Sequence, residues 1–212
     1  MHFKILITLL SIILLPIFLQ AQIDGKFALG FESGLSNIRL KSPVANSSDL
    51  LFNYSLRCGY RSSLSSYTTL SNSLVVGRTG YALRIGTSNL TTGSNSFNSR
   101  VTTLQVGLES YLEHDLKATG NLVGGGASLR LLFNDEWTTF GPQGDRVVMS
   151  NDPLTPIDLA YAIGYARTFQ ISRKSIYIGL RYQGGLKSLA TQSEYKLILN
   201  RYFLVFSSNI SS

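Results

Sequence analysis

His2, His114 and Cys58 are the only imidazole and thiol side chains in the chain, so any nucleophile–base chemistry has very little to work with. A hydroxyl or thiol nucleophile needs a base within hydrogen-bond reach. His2 lies at the start of an apolar leader, which leaves His114 alone, and a carboxylate would have to replace an imidazole elsewhere. A single cysteine excludes an intrachain disulfide, and the His and Cys count is too small for a zinc cluster or a haem-attachment motif. No cofactor and no metal are expected, and a lipid-modifying envelope enzyme ranks third among the functional readings.

Charged residues offer two further groupings. The segment 134–156 carries Asp135, Glu136, Asp145 and Asp152 close to Trp137 and Phe140. Their spacing fits no calcium-loop pattern, and the expectation is a loop folding over one end of the molecule. Asp135, Glu136, Trp137 and Phe140 are then candidates for contact with an envelope or extracellular protein. The second grouping is Glu32, Arg57, Arg78, Arg84, Glu109, Arg130, Asp158 and Arg181, which recur among small residues in segments that alternate polar and apolar.

That alternation defines the elements that must carry them. From Phe52 to Arg61, aromatic and aliphatic residues occupy even positions and Asn53, Ser55, Arg57, Gly59 and Arg61 the odd ones, which is the period of a strand. The same period runs through Val101–Glu113 and Ile157–Ala166, and through Lys26–Gly34, Leu74–Ile85, Leu122–Phe133 and Ile176–Gly184. A final apolar stretch, Tyr195–Ser207, is a strand whose facing its own pattern does not fix. No three- and four-residue apolar spacing survives beyond the leader, so the class is all-β with eight strands. Short connections near 62–68, 114–120 and 167–175 alternate with longer ones near 35–50, 86–100 and 134–156. That is the layout of an antiparallel up-and-down barrel with one tight rim and one elaborate rim.

The leader itself, residues 1–21, combines Lys4, an apolar run from Ile5 to Leu19 and a small residue, Ala21, before Gln22. It reads as a secretory signal peptide, since about 15 apolar residues fall short of the roughly 20 that a spanning helix needs. The expected division is therefore a signal peptide at 1–21 and an outer-membrane β-barrel domain at 22–212.

Composition chooses between a soluble barrel and a transmembrane one. Only 15% of residues are charged against 44% hydrophobic. The polar face of the strands is built from Gly and Ala punctuated by arginines and carboxylates, as the narrow inside of a barrel requires. The opposite face carries large aliphatics, Phe and Tyr, suited to lipid. On this assignment every charged residue of the seven assignable strands, Arg78 and Arg84 included, points inward. Eight strands enclose only enough space for side chains, so these charges should pair with one another and with Gln105, Tyr111, Tyr177 and Gln183. The excess of 19 Lys and Arg over 12 Asp and Glu is spread over the strands, without the clustered stripe of a nucleic-acid binder.

The leader ending Leu19-Gln20-Ala21-Gln22, the first strand Phe27-Ala28-Leu29-Gly30-Phe31-Glu32-Ser33-Gly34 and the run Tyr54-Ser55-Leu56-Arg57-Cys58-Gly59-Tyr60 resemble the PorT-like family of small outer-membrane barrels. The resemblance covers nearly all of the chain after the leader. It departs at the end, where Phe206 is followed by Ser207 to Ser212 instead of closing on an aromatic residue. It implies an outer-membrane barrel without an assigned activity, of a kind in which some members are linked to export or assembly at the cell envelope. The reading taken from the whole chain is a protein of the outer membrane of a Gram-negative-type envelope, surrounded by outer-membrane lipid, with a structural or interaction role through its outer loops. A transport component or narrow channel is the alternative.

Overall fold

The computed structural model describes residues 26–41, 45–89, 93–140, 146–149, 157–171, 174–189 and 196–210. The expected signal peptide lies outside the described residues. Ten strands form one sheet: β1 (Lys26–Lys41), β2 (Ala45–Asp49), β3 (Leu51–Ser63), β4 (Thr68–Asn89), β5 (Gly93–Asp115), β6 (Asn121–Phe140), β7 (Arg146–Met149), β8 (Ile157–Ile171), β9 (Lys174–Gly185) and β10 (Lys196–Ile210). Eight of them pair antiparallel in chain order, β1-β3-β4-β5-β6-β8-β9-β10, and β10 returns to β1, so the sheet closes into an up-and-down barrel. The closing seam runs from Phe27 opposite Ile210 to Lys41 opposite Lys196. Full closure leaves the membrane-level backbone no unpaired edge.

The strands outrun the alternation that marks them in the sequence. β4 and β5 stay paired from Thr68 opposite His114 to Asn89 opposite Gly93, so 86–89 and 93–100, expected within a long connection, belong instead to paired strands. Residues 134–140, expected in a loop, extend β6, and the short strand β7 pairs with them. β2 adds to the upper part of β4 in the same way. These extensions are rich in Ser, Asn and Thr, which suit a strand that has left an apolar environment. The opposite rim is tight. Between β5 and β6 the chain makes one 3-10 turn at Leu116–Ala118 and reverses at Gly120, whose φ of +73° suits glycine, while its amide donates to Asp115 Oδ1 at 3.1 Å.

Side-chain facing separates two surfaces. Leu29, Phe31, Leu35, Phe52, Leu56, Ile163, Leu180, Tyr202 and Leu204 are among the large apolar residues exposed on the exterior. On β8 the outward run from Ile157 to Tyr165 matches the roughly 9–11 residues that a tilted spanning strand needs. Aromatic groups mark the lower edge and the middle of this belt. Phe27 stacks edge-on against Tyr60 at the lower, tight-turn rim, and Tyr182 packs between Tyr161 and Tyr202 within the belt. A barrel with such an exterior is built to be surrounded by lipid.

One strand faces the other way from the sequence-based assignment. In β4 the buried residues are Ser73, Val75, Thr79, Tyr81 and Leu83, and Arg78 is 46% exposed on the exterior. Arg78 therefore does not belong to the interior. The reason is physical: the upper lumen is packed with apolar side chains, so apolarity on β4 marks the inside of the barrel there. β10, unassigned from its pattern, turns Leu199, Arg201, Phe203 and Val205 inward and Tyr202, Leu204 and Phe206 outward.

Candidate functional site

The waist of the lumen gathers five of the charged residues picked out by the sequence: Glu32 from β1, Arg57 from β3, Glu109 from β5, Arg130 from β6 and Arg181 from β9, all buried. Glu109 is their centre. Its Oε1 accepts from Arg57 Nη2 and Arg181 Nη1, and its Oε2 accepts from Gln183 Nε2 at 2.8 Å. Glu32 accepts from Ser55 Oγ at 2.5 Å and from Arg57 Nη1 at 3.4 Å. Arg130 lies 3.5 Å from Glu32 and 3.7 Å from Glu109, and donates to Gln105 Oε1 at 2.9 Å and to Gln183 Oε1 at 2.7 Å. A buried charge is tolerable only when paired and hydrogen-bonded. Glu32, Arg57, Glu109 and Arg130 each meet partners on at least two other strands, so the network ties the walls together across the lumen.

Next to the waist, Asp158 sits opposite Arg130 in the β6–β8 register, but its ion-pair partner is Arg201 of β10 at 2.6 Å, and Arg201 Nε donates to Thr79 Oγ1 at 3.1 Å. Arg201 was not singled out by the sequence. Its one signal was being the only charged residue inside the apolar run from Leu197 to Phe206. Below the waist, Arg61 pairs with Glu113 and stacks on Tyr177, beside a cavity of about 30 Å³ that has room for water.

Small residues make this packing fit. A Cβ added at Gly124, Gly126 or Gly164 would lie within 3.0 Å of the Tyr111 side chain, and the Arg181 guanidinium lies over the same ring at 4.0 Å from its centroid. Aromatic bulk on β5 thus demands glycine on β6 and β8 and supplies a cation–π contact in return.

The outer mouth is different in kind. Ile38, Tyr81, Leu83, Val101, Leu132, Leu189 and Leu199 form one buried apolar cluster. Leu189 comes from the connection after β9, which turns back so that its amide donates to the Leu197 carbonyl at 2.8 Å. The lumen is plugged by hydrocarbon above and by paired charge at the waist.

The remaining candidates fall outside this assembly. Arg78 donates to Thr102 Oγ1 at 3.0 Å and lies 3.7 Å from Glu136, all three on the exterior at the upper end of the apolar belt. Glu136 and Phe140 belong to β6, as do Asp135 and Trp137, whose side chains lie outside the described residues together with that of Arg84. His114 is exposed at the lower rim with its Nδ1 3.1 Å from Thr68 Oγ1. Cys58 is a free thiol on the outward face. Among the described residues no group of His, Cys, Asp and Glu is placed to hold a metal ion.

The geometry defines a small, closed, plugged barrel with a lipid-facing belt. Solved structures to which the chain is similar include Neisserial surface protein A, at 12% identity over 87% of this chain and 97% of the other with a TM-score of 0.43. The outer membrane protein OprG from Pseudomonas aeruginosa is 16% identical over 89% and 97%, with a TM-score of 0.38. Ail, the attachment invasion locus protein of Yersinia pestis, is 11% identical over 87% and 99%, with a TM-score of 0.36. No protein-family model and no curated protein match the chain.

Proposed function

We propose that the protein is an outer-membrane barrel of a Gram-negative-type envelope, delivered by a signal peptide at residues 1–21. It acts as a structural or interaction protein through the strand extensions and loops of its upper rim. The observation that carries this reading is the filled lumen inside a lipid-facing exterior. With Arg57, Arg130, Arg181 and Arg201 locked to carboxylates and the mouth filled with hydrocarbon, no group among the described residues inside is arranged to pass or transform a solute. What remains to meet other molecules is the upper rim, where β2, β7 and the β4–β5 hairpin stand beyond the belt. The reading involves no catalysis, and it keeps the resemblance to PorT-like barrels as its family assignment.

Two measurements test it. The processed protein should fractionate with outer membranes, resist carbonate extraction and migrate differently before and after boiling. Recovery as a soluble protein would overturn the reading. Planar bilayers holding the purified protein should show no steady conductance, whereas large, long-lived steps would establish the channel alternative.

A further inference from the structure

On the exterior of β4, β5 and β6, charge among the described residues gathers at the upper end of the belt. Outward residues lower on these strands include Leu70, Leu74 and Val76, then Val106, Leu108 and Leu112, then Val123 and Leu129. At the upper end Arg78 stands opposite the exposed Leu104, which is itself opposite Phe133, and reaches up to Thr102 and Glu136 one step further along β5 and β6; on the same face of β5, two residues beyond Thr102, is the exposed Arg100. The Arg78–Glu136 pair is loose, at 3.7 Å with each side chain 46% exposed, so the guanidinium keeps donors available to a competing anion. A guanidinium that reaches upward from the upper edge of an apolar belt meets the depth of lipid headgroups.

We infer that Arg78 and Arg100 form a binding site on the barrel wall for the phosphate of an outer-leaflet lipid headgroup, with Thr102 between them as a third donor and Glu136 as the carboxylate that the phosphate displaces. This rests on the reading of the chain as an outer-membrane barrel. Among the described side chains, two arginines stand against one carboxylate in this patch. The planar fork of arginine suits phosphate oxygens, and the acyl chains of the same lipid would lie on Leu104 beside Arg78 and on Val76 beneath.

The test uses the full barrel in phosphatidylcholine vesicles containing spin-labelled phosphatidic acid or spin-labelled phosphatidylcholine, with folding checked by heat-dependent gel mobility. Wild-type protein should retain the phosphatidic acid over phosphatidylcholine by about fivefold or more, the scale of one well-placed cation at a membrane surface. Arg78→Gln with Arg100→Gln should bring the two lipids close to parity. Arg78→Lys with Arg100→Lys should keep most of the preference, and Glu136→Gln should raise it. Equal retention by wild type, or an unchanged preference in the double Gln variant, overturns the site. Loss of the preference on adding inorganic phosphate assigns the cluster to free anions and overturns the lipid assignment. If neither labelled lipid is motionally restricted by the wild-type barrel, the membrane reading itself has failed, an outcome distinct from the others.

Discussion

The waist and the outer mouth of the lumen are solutions to the same problem, filling the inside of eight strands, reached with opposite chemistry. At the waist, Glu109, Arg57, Arg130 and Arg181 are held by directional contacts from five strands, and each needs the others to remain charged in the interior. At the mouth, Val101, Leu132, Leu189 and Leu199 are held by shape and by exclusion of water. Directional networks are intolerant of losing one member, whereas hydrocarbon packing tolerates exchange so long as volume is conserved.

Substitutions can break this contrast in order of size. Glu109→Gln leaves three guanidinium groups, those of Arg57, Arg130 and Arg181, without their central anion and should cost about 3–5 kcal/mol of stability, read by denaturant unfolding in lipid vesicles. In the mouth, Leu199→Ala should cost about 2–5 kcal/mol through the cavity it opens. Leu199→Met, which keeps the volume, should cost less than about 1.5 kcal/mol. An equal cost for the two Leu199 variants would show that the mouth is not close-packed. The smallest effect sharpens the comparison most. Arg201→Met alone strands Asp158, but Arg201→Met with Asp158→Leu extends the apolar mouth downward and should return stability to near the wild-type value. A double variant as damaged as the single one would mean that this pair works as a specific tie between β10 and β8.

The same contrast explains what the sequence made legible. β3 could be read because Asn53, Ser55, Arg57 and Arg61 alternate with Phe52, Tyr54 and Leu56, so polarity alone told inside from outside. β4 misled because Tyr81 and Leu83 pack the mouth and Val75 the lumen below it, while Arg78 stands outside at the belt's upper end; lipid and a hydrocarbon plug make the same demand on a side chain. β10 was undecidable for the same reason, with Leu199, Phe203 and Val205 inside and Tyr202, Leu204 and Phe206 outside. Composition implied a filled, charged interior, but which carboxylate met which arginine depends on strand stagger, as Asp158 choosing Arg201 over its cross-strand neighbour Arg130 shows.

The seam between β1 and β10 has a consequence for how the molecule is made. The first and last strands of the barrel are hydrogen-bond partners along their whole length, so no shorter version of the chain is a smaller barrel. While β10 is still missing, β1 and β9 are both raw edges that neither lipid nor water protects from other chains. Assembly is therefore an all-or-nothing event in which the longest-range contacts form with the final strand. A cell producing this protein must shield seven strands until the eighth arrives, and a nonsense mutation near residue 196 should yield an aggregate or a degraded fragment instead of a weakened barrel.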